Sequence, residues 1–264
     1  MARRKGFFAR LRRNLRWGLR IALVLLVLDL AYVAYIWPDW RQLATGPVPK
    51  SSFMREYQEK RAEHDWPKLQ WQPVPLAQLP RHVLRAVIVA EDSRFYEHSG
   101  FDLIAIREAL DYNLDRGRMV FGASTISQQT VKNLYLSPSR NPLRKWHEMF
   151  LTWGIEHNLR KSRILEIYLN IVELGRGVYG VQAAARTYFG VDAEQLSVNQ
   201  AAELAASLPS PVRHNPATRT ERFQRRSQRI LGLLTREQNG PAPGGSGGPR
   251  VVAPNSGPVT PAGF

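Results

Sequence analysis

The chain contains no cysteine. That excludes a disulfide scaffold, a thiolate zinc site and a Cys nucleophile, while saying little about compartment. None of the six histidines stands in a metal-ligand spacing, and no His-Glu-x-x-His occurs, which argues against a zinc hydrolase of that type. A P-loop and a dinucleotide fingerprint are missing too. So are Ser-x-x-Lys and Lys-Thr-Gly, which argues against a penicillin-sensitive acyl-transfer domain. Convincing period-2 strands and internal repeats are absent, so the expected class is mainly α. Acid is absent at one end: residues 1–20 hold eight Lys or Arg and no Asp or Glu.

What is present starts from that charge. The length of 264 residues suits one ordinary domain with accessory segments, or two small domains. An apolar content of 44% is enough for a sizeable core. The net charge of +15 predicts an anionic partner: nucleic acid, a membrane surface or a phosphate-bearing substrate. Outside the first 20 residues, 29 cations face 22 acids, so more than half of the excess lies in the N-terminal arm.

An apolar run follows, Leu19 to Trp37, containing Arg20 near its start and Asp29. As a helix it spans about 28 Å, close to a hydrocarbon core. Trp17, Tyr32, Tyr35 and Trp37 lie toward its ends, as an aromatic belt would. Asp29 costs about 2.5–3.5 kcal/mol near the bilayer centre, which the flanking Leu, Val and Ile can offset. A cleaved signal peptide is the rival reading. Its apolar region is shorter and ends at small residues, whereas Ile36-Trp37-Pro38-Asp39 stands here. The expectation is a basic cytoplasmic arm over 1–18, an uncleaved membrane helix over 19–37 and an exported remainder.

Seven prolines between 38 and 80 predict a linker and entry segment over 38–69 with little helix except near 52–64. The main domain is expected over 70–237. Seven Gly and six Pro between 239 and 264 predict a disordered tail over 238–264. Within the domain, Val83, Leu84, Val87 and Ile88 form one helical stripe after Pro80. Asp102 caps a helix to about Arg116, ended by Gly117. Thr125 with Gln128, and Ser197 with Gln200, are capping boxes. Pro142 opens a helix to about Leu159. Others are expected at 162–174 and 219–235.

Glu91 continues the 87/88 stripe at helical spacing. A carboxylate there is either a functional acid or base with a raised pKa, or a Glu at a frayed helix end. Gly122-Ala-Ser-Thr-Ile-Ser-Gln-Gln opens onto a helix N-terminus. That is an anion site or an ordinary capped helix, with Lys132 two turns on. Arg144 and Glu148 are an i,i+4 pair: a surface salt bridge by the plain reading, a carboxylate beside a phosphate-gripping cation by the other. His98 alone reads as a structural hydrogen-bonder.

In order, these segments resemble a known family. Glu91-Asp-Ser-Arg-Phe-Tyr-Glu-His-Ser-Gly100 matches Glu-Asp-x-x-Phe-x-x-His-x-Gly. Gly122 to Asn133 matches Gly-x-Ser-Thr-Ile-x-Gln-Gln-x-x-Lys-Asn. Arg144-Lys-Trp-His-Glu148 matches Arg-Lys-x-x-Glu, and Lys161 to Asn170 matches Lys-x-x-Ile-Leu-Glu-x-Tyr-Leu-Asn. These are the motifs of the peptidoglycan glycosyltransferases, which have a lysozyme-like fold. Leu208-Pro-Ser-Pro211 and the single anchor resemble the monofunctional biosynthetic members. Ala123 departs from a second Gly found in many members, and a Lys of bifunctional relatives near Leu208-Pro209 is not found.

The resemblance implies polymerisation of lipid II into glycan strands. The 4-hydroxyl of an acceptor GlcNAc attacks C1 of a donor MurNAc with inversion, releasing the lipid pyrophosphate. It implies Glu91 as general base and Glu148 as second carboxylate, which orients the sugar or binds a divalent cation (Mg or Mn). Ser124, Gln129, Lys132, Asn133 and Arg144 match donor-site residues. Asp92, Phe95 and His98 match cleft-shaping ones, and Thr125, Gln128 and Lys145 lie in the same motifs. No organic cofactor and no nucleic acid are expected. Expected partners are lipid II, the growing strand, membrane lipids and, as candidates, cell-division or elongation proteins. An apolar surface from Leu103, Ile104, Ile106, Leu110, Met119, Val120 and Phe121, edged by Arg116 and Arg118, is expected at the bilayer, the alternative being that these residues fill the core. A lytic enzyme of lysozyme type and a membrane-tethered scaffold are the competing classes.

Overall fold

A computed structural model of the chain describes residues 2–117, 122–137 and 142–239. The expected tail from residue 240, and Met119, Val120, Phe121 and Arg118 of the expected apolar surface, lie outside the described residues.

The chain opens with α1 (Ala2–Tyr35), α2 (Trp40–Thr45) and α3 (Ser52–His64). A short strand β1 (Gln70–Trp71) leads to α4 (Arg81–Glu91), α5 (Leu103–Asp115), α6 (Ile126–Tyr135), α7 (Pro142–Asn158) and α8 (Lys161–Ile171). Then come β2 (Glu173–Gly175), β3 (Val178–Tyr179), α9 (Val181–Phe189), α10 (Val198–Ser207) and α11 (Glu221–Asn239). The domain is mainly α, with one membrane-length helix ahead of it.

Among the described residues, α1 alone is long and apolar enough to cross a membrane. Its side chains are exposed from residue 12 to 32, apart from Asp29. A helix apolar all round and uncovered by protein needs lipid as its solvent.

The domain is built around α8. Ile164, Leu165, Ile167, Tyr168, Leu169 and Ile171 are all fully buried, so this helix is apolar on nearly every side. α6 packs on α7 and α8, while α10 packs on α4 and α11. The caps follow the sequence signals. Thr125 and Gln128 close a reciprocal box on α6, Ser197 and Gln200 close one on α10, and Asp102 accepts from Ala105 N–H.

Three expectations are corrected. The 38–69 segment is not a linker: Trp40, Leu43, Met54 and Tyr57 are buried in the main core. Its prolines lie between α2 and α3 and flank them, rather than inside them, so they punctuate helices without preventing them. The helix expected to reach Leu174 ends at Ile171, because residues 173–179 turn back as a hairpin. That hairpin joins β1 in a three-stranded sheet of order β1-β3-β2, with β1–β3 parallel and β2–β3 antiparallel. Strands of two and three residues are too short to show a period.

Candidate active site

Glu91 is the last residue of α4, one turn beyond the buried Val87 and Ile88. Its carboxylate is enclosed. Oε2 accepts from Gln129 Nε2 at 2.9 Å, and Oε1 accepts from Arg226 Nη2 at 2.9 Å. The same Arg226 nitrogen donates to the Ala90 carbonyl at 3.0 Å. Gln129 is held in turn by Tyr168, whose hydroxyl donates to its Oε1 at 3.1 Å. Burial pushes the Glu91 carboxyl up from its ordinary value, and Arg226, Gln129 and Lys132 pull back. α6 places Lys132 one turn beyond Gln128, within the field of both carboxylates. Burial pushes its ammonium pKa down, Glu148 and Glu91 oppose that, and Arg144 and Lys145 reinforce it.

The N-terminal turn of α6 is fastened from the Glu91 side. Asp92 Oδ2 accepts from Ile126 N–H at 3.0 Å. Thr125 Oγ1 donates to the Gly100 carbonyl at 2.7 Å. Gly100 N–H donates to His98 Nδ1 at 3.1 Å, so Nε2 carries the ring proton and donates to Asp92 at 2.9 Å. Gly100 has φ +93°, and a Cβ there would come within 2.8 Å of Thr152 Cγ2. The turn therefore requires glycine. His98 is thus held between Asp92 and the Gly100 N–H.

α7 brings the second carboxylate. Glu148 is buried, which overturns the plain reading of Arg144/Glu148 as a surface pair. Lys145 Nζ pairs with its Oε1, and Arg144 Nη1 lies 3.5 Å from Oε2. Arg144 Nε and Arg226 Nε are buried without a hydrogen-bond partner among the described residues.

Glu91, Gln129, Lys132, Arg144, Lys145 and Glu148 thus form one electrostatic neighbourhood. Ser124 is exposed in the loop before α6. Thr125 and Gln128 are buried in the cap itself. Asn133 is buried, and its carbonyl accepts from Ser52 at 2.9 Å. Phe95 is fully buried, with Lys161 Nζ 4.5 Å from its ring centroid, so it belongs to the core. Arg226 and Tyr168 were missed. Arg226 lies three residues after the buried Phe223 and four before the buried Ile230. A charge on an apolar stripe was the signal that found Glu91, and it was there for Arg226 too.

Asp92, His98 and Asp102 each present a ligand atom within 4.8 Å of the others, a set able to hold a divalent cation. Protein donors already occupy it. Arg94 donates to both Asp102 oxygens at 2.9 and 3.0 Å, and Ile126 N–H and His98 occupy Asp92. Glu148 is not part of this cluster.

A buried carboxylate beside a group of cations is an arrangement suited to proton transfer next to an anionic group. The family model described as Transglycosylase matches residues 59–235, and the chain belongs to that family. It is 40% identical over 220 residues to the biosynthetic peptidoglycan transglycosylase of Nitrosospira multiformis, covering 83% of this chain and 96% of that one. Identity to the protein of the same description from Methylobacillus flagellatus is 42% over 228 residues, covering 83% and 95%. For that from Ralstonia nicotianae it is 50% over 149 residues, covering 56% and 61%. The chain is a peptidoglycan glycosyltransferase that polymerises glycan strands, with a lysozyme-like domain. It is a single-pass inner-membrane protein whose catalytic domain is periplasmic.

Proposed function

We propose that Glu91 is the general base and that Lys132, Arg144 and Lys145 hold the donor's pyrophosphate. The substrate is lipid II. Glu91 takes the proton from the acceptor 4-hydroxyl as that oxygen attacks the donor C1. The new O4–C1 bond forms on the face opposite the breaking bond to pyrophosphate, so the configuration inverts. The leaving pyrophosphate gathers negative charge, and Lys132 and Arg144 meet it where it develops.

One observation carries this reading: Gln129, which donates to Glu91 at 2.9 Å, stands three residues before Lys132 on α6, and Lys132 lies in the field of both Glu91 and Glu148. A base at one end and fixed positive charge at the other is what an inverting displacement with an anionic leaving group requires. Arg144 Nε, without a partner among the described residues, is a further donor for an anion. A lytic enzyme needs the buried Glu but not the cations.

Gln129 and Tyr168 orient Glu91. Ser124 sits on the open side of the α6 N-terminus and is assigned to the donor phosphate. Asn133, Thr125, Gln128, Asp92, Phe95 and His98 act by fixing the α6 turn and the floor beneath it. A divalent cation, Mg or Mn, bound with the pyrophosphate would offset its charge. At Glu148 it would have to displace Lys145 or Arg144. The catalytic unit is assigned to residues 40–235, and cell-division or elongation proteins are its assigned recruiting partners. Leu103, Ile104 and Leu110, all exposed on α5, are assigned to the outer leaflet.

The test is polymerisation of labelled lipid II by the full-length protein. Glu91→Gln keeps the shape and removes the base, and is expected to lower the rate about 10²–10⁴-fold. Polymer formed at the wild-type rate would remove Glu91 from this role.

A further inference from the structure

Asp29 is the only acid in the apolar run, and α1 does not leave it to the lipid. Its carboxylate accepts from His147 Nε2 at 2.7 Å and from Trp146 Nε1 at 3.0 Å, both on α7. Tyr32, one turn further on, lies against the His147 ring with centroids 5.0 Å apart. Val33 is buried, and Ile36 packs on the main core. At the foot of the helix, Trp37 meets Trp153 at 6.4 Å and Trp40 at 5.5 Å. Trp40 closes over Gly154, where a Cβ would come within 2.5 Å of its Cζ2.

These contacts form one strip. On α1 it runs through 29, 32 and 33, and Ile36 in the turn after the helix continues the same face. On α7 it runs through 146, 147, 153 and 154. Arg144, Lys145 and Glu148 stand beside 146 and 147 in the N-terminal turns of α7. The helix that carries the donor-side charges is therefore pinned directly to the membrane helix. Asp29 lies six residues before Tyr35, about 9 Å below the end of α1. Within an apolar run an unpaired carboxylate and an unpaired indole N–H are both costly, which favours the pairing.

We propose that Asp29 is a positioning residue of the reaction: a clamp from the membrane helix that sets the depth and rotation of α7, and with it the Arg144, Lys145 and Glu148 group, against the lipid-borne pyrophosphate. This rests on the reading that those side chains hold the donor. It goes beyond that reading in making the anchor part of the active site's geometry, and not only a tether.

The experiment uses the full-length protein in phosphatidylglycerol vesicles carrying lipid II. Asp29→Leu makes α1 a better membrane helix by composition, so a loss of activity in that variant does not come from poor insertion. It is expected to lower kcat/KM about tenfold, the scale of a lost hydrogen bond to a charged group. Asp29→Asn keeps an acceptor for the Trp146 indole and is expected to stay within about threefold of wild type, which separates the clamp from failure to fold. Trp146→Phe is expected to lose activity, and Asp29→Leu/Trp146→Phe to be no worse than Asp29→Leu alone, because both break one contact. The acidic limb of the pH profile stays in place, since Glu91 is untouched. Wild-type activity in Asp29→Leu, or losses that multiply in the double variant, would overturn the clamp. Arg144→Ala tests the donor-site reading separately: full activity there removes that reading whatever Asp29→Leu does.

Discussion

The Glu91 carboxyl is held between two pulls. Burial favours its neutral form, and Arg226, Gln129 and Lys132 favour its charged form. A base must be ionised to accept a proton, so activity rises with pH through the Glu91 pKa. The acidic limb is expected above the ordinary carboxylate range, because burial is the largest influence. Arg226→Met removes a cation that favours ionisation. The limb should then move to still higher pH, with the largest loss of rate on the acid side and partial recovery in alkali. A pH–rate profile of kcat/KM for the two proteins checks this, and a limb that stays put would show that Arg226 does not tune the base. Glu91 was legible in the sequence because it breaks an apolar stripe. Arg226 breaks one in the same way, but it stands among Arg222, Arg225 and Arg229 in a helix whose solvated face is also basic. Composition hides one inward charge among several outward ones. Glu148 was misread locally for a related reason: i,i+4 spacing says which side chains meet, not what covers them.

At the scale of elements, the fourth motif turns out to brace the fold. Asn170 Oδ1 accepts from Val74 N–H at 2.7 Å, and its Nδ2 donates to the carbonyls of Val74 at 2.9 Å and Glu166 at 2.8 Å. Glu166 accepts from Leu76 N–H at 3.0 Å. Together they stitch the 70–80 segment to α8. Asn170→Ala strands these backbone groups in a buried place, so a loss of about 2–4 kcal/mol is expected in denaturant unfolding of the full-length protein. A loss below about 1 kcal/mol would mean that water replaces the amide.

Glu173 on β2 makes a second prediction at this scale. Burial pushes its carboxyl up to about 7, against the pull of Arg176 and of the Gly177 N–H. The folded state then binds a proton more tightly than the unfolded one. The stability this contributes is present below the unfolded pKa and is lost as pH rises from about 4.5 to about 7. Glu173→Gln should match wild type near pH 4 and exceed it above pH 7, by up to about 3 kcal/mol. Unfolding midpoints that differ equally at both pH values would contradict this. The helices of this domain were readable because caps and stripes recur along them. The sheet was not, since its strands are two or three residues long and held by non-local pairing. The role of 38–69 in the core was hidden for the same reason: Trp40, Leu43, Met54 and Tyr57 are spread among prolines, and only the folded chain brings them together.

For the whole molecule, the basic arm and the apolar helix that follows it give the topology from sequence alone, by the excess of Lys and Arg on the cytoplasmic side. What the sequence did not reveal is that the anchor is also packed on the catalytic domain. The two roles can be separated by deleting residues 1–37 and comparing two settings. A tether raises the local concentration of a membrane-borne substrate, an advantage that is large in vesicles and shrinks when excess detergent puts enzyme and lipid II in separate micelles. A clamp on α7 acts wherever α7 is. The deletion is therefore expected to lower kcat/KM in detergent by about the same factor as Asp29→Leu in the full-length protein, about tenfold, and by a larger factor in vesicles. If the truncated protein equals wild type in detergent, α1 is a tether alone. If it loses equally in both settings, the local concentration supplied by the membrane contributes little, and the contact between α1 and α7 accounts for what the anchor does.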